Sequence, residues 1–334
     1  MMKRLKILEQ TKIKSDLKKL HRIIRRAKGI IITGHVNPDG DDISSQLALG
    51  EYLKNIDKRH SIVWNEEVPK AFHFLPDFGK IINVHNHEIE PSDYDTIIVV
   101  DSGDLERIGD VRNLIQSYHR IINIDHHQIN TCFGHLNIVM ENACSIGEIL
   151  YYYFILNRIK INKKIADYLY ISIVTDTGSF NYDCMHPEVH LIAADLMEKG
   201  VVPADFNISL YQNKSLSYIK LLSMVLSRLE LISNGKIALS YLFYEDFRND
   251  DEDDTDGIIE YLGMLEGVSV YVLIKEKSPG VFNASLRSKF HVDVAKIAKD
   301  FGGGGHMRAA GCKTDRLTYE EFKKQVISKI QEQL

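Results

Sequence analysis

Three short runs, Ile30-Ile31-Ile32-Thr33, Ile97-Ile98-Val99-Val100 and Ile121-Ile122-Asn123-Ile124, are apolar almost throughout and each ends on aspartate or histidine. A strand that stays apolar instead of alternating with polar residues is one covered on both faces. Helical spacing occurs around and between these runs. It appears in Leu17, Leu20, Ile23, Ile24 and Ala27, again from Ile43 to Asn55, and again over roughly Asp110 to Tyr118. Strands alternating with helices predict an α/β fold with a parallel sheet covered by helices. In such a sheet the functional loops lie beyond the carboxyl ends of the strands. Here those ends read Gly34-His35-Val36-Asn37-Pro38-Asp39, Asp101-Ser102-Gly103-Asp104 and Asp125-His126-His127.

At 334 residues the chain has room for two cores. A helix from about Lys163 leads into Val174-Thr175-Asp176-Thr177-Gly178, and Pro187 to Lys199 reads as a further helix closed by Gly200. Ile219, Leu222, Val225, Leu226 and Leu229 give the stretch from Ser215 to Ile232 the pattern of a connecting helix. The order then changes. Strand patterns cover Ile237 to Tyr244, Val268 to Ile274 and Phe282 to Arg287. Helical ones run through Ile258, Ile259, Leu262 and Leu265 and from Val292 to Phe301. The acidic stretch Asn249 to Asp256 reads as a solvated loop leading into a helix N-terminus, where anionic side chains are favoured. The expected organisation is a first domain over 1–205, a helical linker over 206–234 and a smaller α/β domain over 235–334.

The formal net charge of −5 opposes a broad surface for duplex or long nucleic acid, while a local basic pocket can still hold a few phosphates. No apolar run reaches the roughly 20 residues a bilayer requires, and Met1 to Arg26 is basic and polar without the apolar core of a signal peptide. The expectation is a cytoplasmic protein without a membrane partner. Cys132, Cys144, Cys184 and Cys312 lie far apart with no C-x-x-C spacing, so reduced, mostly buried thiols are expected.

His35, Asp39 and Asp41 fall together around Pro38 and Gly40. Alone, that cluster is explained by the turn-stabilising habit of aspartate and asparagine. Asp101, Asp125-His126-His127 and Asp176 change the balance, because carboxylate and imidazole donors now come from four separated places. That mixture suits Mn²⁺, Zn²⁺ or Fe²⁺, with Mn²⁺ the first choice, whereas Mg²⁺ prefers oxygen donors and its own waters. Two ions about 3.5–4 Å apart, sharing one carboxylate, can hold both sides of an in-line displacement at phosphorus.

The segment from His35 through Pro38-Asp39-Gly40-Asp41 to Ser45-Gln46-Leu47-Ala48, with Asp101-Ser102, Asp125-His126-His127 and Val174-Thr175-Asp176-Thr177-Gly178, resembles the four ordered motifs of the DHH phosphoesterases. Ser285-Leu286-Arg287-Ser288, Asp293-Val294 and Phe301-Gly302-Gly303-Gly304-Gly305-His306 with Ala309-Ala310-Gly311 resemble that family's associated C-terminal domain. The resemblance implies one metal on His35, Asp39 and Asp101 and a second on Asp41, Asp101, His126 and Asp176, with Asp101 as the bridge. It implies Asp125 as a carboxylate that orients ligands and His127 as a group facing the phosphate or the leaving oxygen. Arg287, Ser285, Gly303, Gly304, Gly305 and His306 would bind substrate phosphate, with substrate between the domains. In isolation a glycine run is a flexible loop, Arg287 a surface charge and a histidine pair incidental; joint occurrence in family order overturns those readings. Tyr151-Tyr152-Tyr153 is read as core or interface packing, and His60, His73, His85, His87 and His119 carry no role.

Two departures stand out. Asp42-Ile43-Ser44-Ser45 replaces the family's usual Ala-Ile-Gly-Ser, adding a carboxylate beside Asp41, and Met307-Arg308 follows His306. The basic signature of the family-II pyrophosphatases is absent, and 334 residues leave no room for the extra domains of the family's large exonucleases. The resemblance therefore implies a compact phosphoesterase cutting short linear substrates to mononucleotides: nanoRNA, linear diadenylate or 3′-phosphoadenosine 5′-phosphate. Cyclic di-AMP hydrolysis is the alternative, followed by a non-catalytic nucleotide sensor, which the complete donor set opposes. A homodimer is compatible with the sequence but not demanded by it.

Overall fold

A computed structural model describes residues 11–247, 255 and 257–334, apart from the side chain of His306. Of the acidic stretch Asn249 to Asp256, all but Thr255 lies outside the described residues. The chain divides after Gln212 into two compact units.

The first unit contains α1 (Thr11–Arg26), β1 (Ile30–Thr33), α2 (Gly40–Asn55), β2 (His60–Trp64), β3 (Ile81–Asn83), β4 (Thr96–Val100), β5 (Arg120–Asp125) and β6 (Leu136–Val139). Four helices follow: α3 (Ile146–Leu156), α4 (Lys163–Asp176), α5 (Pro187–Glu198) and α6 (Pro203–Tyr211). The six strands are parallel in the order β3-β2-β1-β4-β5-β6, which is the expected α/β architecture. Successive strand residues feed opposite cores. Ile30, Ile32, Ile98 and Val100 join the helices α1 to α5, while Ile31, Ile97 and Val99 pack with Ile108 and Val111 on the other face. That double burial is why these strands are apolar throughout.

The strand order reverses between β1 and β4, whose Ile32 and Ile98 stand in register. Loops leaving a sheet at such a reversal diverge and open a crevice. The N-terminus of α2 comes down on the C-terminal turn of α4, and the approach is so close that a Cβ on Gly40 would lie 2.4 Å from Thr175 Cγ2. Tyr151, Tyr152 and Tyr153 are fully buried in α3. Their hydroxyls meet Asp195, Glu148 and Tyr52, as buried phenols require.

Some elements differ from expectation. In place of a helix over Asp110 to Tyr118, 3₁₀ turns run from Leu105 to Leu114, broken at Gly109, whose φ is 60°. Cys144 and Cys312 are buried but Cys132 and Cys184 are exposed, and all four are free. Among the described residues no helix is long and apolar enough to cross a membrane.

The second unit runs α7 (Leu216–Ser227), β7 (Glu230–Ile232), β8 (Ile237–Leu242), α8 (Ile258–Gly263), β9 (Val270–Ser278), β10 (Val281–Ser288), α9 (Val294–Asp300), β11 (Gly304–His306), β12 (Ala309–Thr314) and α10 (Tyr319–Gln331). Its strands form one mixed sheet in the order β11-β12-β10-β9-β8-β7. Ala284 and Leu286 of β10 pack with Val294, Phe322 and Val326 from α9 and α10. Tyr271 and Leu273 of β9 pack on the other face with α7 and α8. The stretch expected as a helical linker is not one helix. α6 stops at Tyr211, and the Ser215 hydroxyl accepts the Tyr218 N–H at 2.9 Å to start α7 afresh.

Candidate functional site

The loops after β1, β4 and β5 and the last turn of α4 bring all the sequence-predicted donors of the first unit to one place. Ligand atoms lie within 4.8 Å of one another in three groups: His35, Asp39 and Asp101; Asp41, His126 and Asp176; and Asp101, His126 and His127. Asp101 belongs to two of them and takes a backbone φ of 53°, in the left-handed region that aspartate tolerates better than most residues. Asp39 caps α2, one oxygen accepting the N–H groups of Asp41 and Asp42 at 3.0 and 3.1 Å. Its second oxygen remains for other work.

Both central imidazoles are held in one tautomer by the backbone. His35 Nδ1 donates to the Val36 carbonyl at 2.8 Å, and His126 Nδ1 donates to that of Ala143 at 3.2 Å. Each Nε2 therefore faces the carboxylates. His126 Nε2 stands 3.3 Å from Asp101, 3.4 Å from Asp176 and 3.8 Å from Asp41, and His35 Nε2 stands 3.5 Å from Asp101. A lone pair aimed at carboxylate oxygens is unfavourable unless a cation intervenes. Without metal the cation is a proton. Burial pulls both histidines down, but Asp101, with Asp42 near His35 and with Asp41 and Asp176 near His126, outweighs it, raising His35 to about 10 and His126 to about 11. Burial raises the acids in turn. Asp41 rises well above the usual carboxylate range, helped by Asp101 and Asp176, and Asp176 rises to about 7, where burial, with the charges of Asp101 and Asp39, outweighs the pull of His126. Among the metal-donor carboxylates Asp101 alone moves down, because the pull of His126, His35 and His127 exceeds its desolvation. Its Oδ1 is buried and accepts no well-aligned hydrogen bond, with His126 Nε2 3.3 Å away. A buried anionic oxygen between two histidine-carboxylate sets, with each histidine braced from behind, fits divalent cations shared by one carboxylate.

His127 is built differently. Its Nδ1 donates to Asp125 Oδ1 at 2.8 Å, and Asp125 is buried. The Asn130 amide donates to Asp125 Oδ2 at 2.6 Å and to Asn123 Oδ1 at 2.8 Å, and Asn123 in turn donates to the Ser102 carbonyl. His127 Nε2 is thereby left free to handle a proton. Sequence reasoning missed Asn130, for which the chain carries no periodic signal. It also missed Ser172, whose hydroxyl, with that of Ser45, donates to Asp41 Oδ1. Ser172 lies one turn before Asp176 on α4, and that spacing could have revealed it.

Asp42, the departure from the family pattern, does not join the donors. It is fully buried, with Gln46 Nε2 donating to its Oδ1 at 2.9 Å, and burial pushes its carboxyl well above the usual range. Its space comes from Gly34, where a Cβ would lie 1.6 Å from Asp42 Oδ1.

Residues 29–173 match the DHH family, N-terminal domain, and residues 234–333 match the DHHA1 domain. The bifunctional oligoribonuclease and PAP phosphatase NrnA of Thermus thermophilus is 31% identical over 313 residues, 93% of this chain and 92% of that protein. This chain belongs to the DHH family. The protein of the same description from Bacillus subtilis is 27% identical over 298 residues, 87% of this chain and 91% of that one. The solved structure of an exopolyphosphatase-related protein from Bacteroides fragilis superposes with a TM-score of 0.87 at 26% identity, covering 95% of this chain and 96% of that one.

In the DHHA1 domain Ser285 and Arg287 stand two apart on β10, on the face opposite Ala284 and Leu286. Arg287 is opposite Ala309 of β12, and β12 pairs outward with β11, whose residues are Gly304, Gly305 and His306. Gly304 and Gly305 therefore belong to an edge strand and not to a free loop. Glycine is required at Gly303, where a Cβ would lie 2.1 Å from the Gly311 carbonyl oxygen, and at Gly305, whose φ is 140°. The Gly303 N–H is already spent on the Ala298 carbonyl at 2.9 Å. The side chain of His306 lies outside the described residues.

Proposed function

We propose that this DHH-family chain is a metal-dependent phosphoesterase that hydrolyses short linear oligonucleotides and 3′-phosphoadenosine 5′-phosphate to mononucleotides. The observation that carries the reading is the pair of histidine-carboxylate sets on either side of buried Asp101, with His35 Nε2 3.5 Å from its Oδ2 and His126 Nε2 3.3 Å from its Oδ1. The substrate class rests on the oligoribonuclease and PAP phosphatase relative that matches nearly the whole chain. His35, Asp39 and Asp101 would hold one ion and Asp41, Asp101, His126 and Asp176 the other, with Mn²⁺ favoured by the mixed carboxylate and imidazole donors. Such ions supply charge for the phosphate oxygens and lower the pKa of water.

The chain's own residues do the rest. The Val36 and Ala143 carbonyls keep His35 and His126 aimed. Asp125, locked by Asn130, holds His127 so that Nε2 delivers a proton to the leaving oxygen. Arg287 and Ser285 grip a terminal phosphate, with Gly304, Gly305 and His306 on β11 at the sheet edge, while Gly303 shapes the approach to that strand without offering its N–H.

The test is product analysis after incubating the manganese-loaded protein with linear diadenylate, cyclic di-AMP and 3′-phosphoadenosine 5′-phosphate, using Asp101→Ala as control. AMP released fastest from the linear substrates is the expected outcome. Faster opening of the cyclic dinucleotide would move the assignment to a second-messenger phosphodiesterase, and no turnover of any of the three would refute the enzyme.

A further inference from the structure

Arg287 is not an unattached cation on the sheet of the second unit. Its Nε donates to Glu260 Oε1 at 3.0 Å, and its Nη1 reaches the Leu286 carbonyl at 3.2 Å. Glu260, on α8, uses its other oxygen to accept the Tyr271 hydroxyl at 3.0 Å. Tyr271 is directly across the β9–β10 pair from Arg287. Its ring fills the space that a side chain at Gly263 would need, since a Cβ there would lie 2.6 Å from Tyr271 Cζ. A packed phenol thus fixes a carboxylate, and that carboxylate fixes one edge of a guanidinium.

We propose that Glu260 is a positioning residue for substrate binding: it holds Arg287 by Nε so that the Nη edge is presented to a substrate phosphate. The proposal rests on the reading of Arg287 as a phosphate ligand. Three considerations carry it. Glu260 is about half exposed and Arg287 about one third, and ion pairs so open to solvent contribute little to folding, so stability does not account for the arrangement. A free arginine must surrender its rotamer freedom when it binds, and one already fixed at Nε has surrendered part of it beforehand. Finally, Tyr271 makes the carboxylate itself well placed, which an incidental surface pair would not need. The obvious competing role is opposite in sign: a carboxylate beside an arginine can simply compete with phosphate for it.

The experiment measures KM and kcat on 5′-phosphorylated linear diadenylate for the manganese-loaded parent, Arg287→Ala, Glu260→Ala, Glu260→Gln, Tyr271→Phe and the Arg287→Ala/Glu260→Ala double variant, with a thermal melt of each. Arg287→Ala is expected to raise KM about tenfold. Glu260→Ala is expected to raise it roughly three- to tenfold at unchanged kcat, and Tyr271→Phe by less. Glu260→Gln, whose amide oxygen still accepts from Nε, should restore most of the loss. In the double variant the Glu260 change should add nothing beyond Arg287→Ala. If Arg287→Ala raises KM while Glu260→Ala leaves it unchanged or lowers it, positioning is refuted and the phosphate reading survives. If Arg287→Ala itself leaves KM unchanged, the underlying reading fails and the proposal falls with it. Should Glu260→Ala melt early, Glu260→Gln and Tyr271→Phe decide the matter, since both keep the side-chain volume.

Discussion

The two units handle charge in opposite ways. In the first, Asp41, Asp101, Asp125 and Asp42 are buried, and their oxygens are surrounded by braced histidines, serine hydroxyls and one another. In the second, Arg287 and Glu260 sit at the surface of a sheet whose glycine-rich edge strand is shaped by close backbone approach. Burying like charges is expensive and is tolerated where a cation is to be held, whereas an exposed pair is cheap and adjustable. The proposed function gives chemistry to the first unit and grip to the second, and each of the following variants is a way to break that division.

The largest effect is expected from Asp101→Ala, which should cut kcat by about a thousandfold or more, because it removes the carboxylate common to both donor sets. A variant that kept most of its turnover would end the division at once. Asn130→Ala comes next. By freeing Asp125 it should lower kcat roughly ten- to a hundredfold with little change in KM, as loss of a group supporting the catalytic residues does. Arg287→Ala should give the complementary pattern, a KM raised about tenfold, or about 1.4 kcal/mol, at nearly unchanged kcat. If Asn130→Ala moved KM and Arg287→Ala moved kcat, the assignments would be reversed.

The smallest effect concerns Asp176. A carboxylate whose folded-state pKa is raised to about 7 binds protons more tightly folded than unfolded. The metal-free fold therefore loses stability as pH climbs from the ordinary carboxylate range to 7, and the cost is fully present above it. Asp176→Asn should raise the melting temperature of chelator-treated protein by a few degrees at pH 8, with the gain vanishing below about pH 4. By the same sign, metal affinity of the parent should strengthen as pH rises through 7, since bound protons leave when ions enter. Equal melting of parent and variant across that range would contradict this.

Much of the site was legible because the donors follow a β-branched run, open α2 or end α4. β1, β4 and β5 announce themselves by double burial, and His35, Asp101 and His126 sit at their ends. What escaped detection has tertiary causes. β2 begins with the half-buried His60 and Ser61, and β6 carries Asn137, so neither shows a clean pattern. Gly109 breaks the helix expected nearby. Asn130, the Ala143 carbonyl and Glu260 reach their partners only through folding, and nothing in their local sequence marks them. Asp42, the departure from the family pattern that adds a carboxylate beside Asp41, is turned inward against Gly34.

The most direct test of the account is the number of manganese ions held per chain, counted by elemental analysis after dialysis against low-micromolar metal. The account predicts two for the parent, one for Asp176→Asn and none held tightly by Asp101→Ala. A parent with a single ion, or an Asp101→Ala variant that keeps two, would contradict the shared carboxylate on which the mechanism depends.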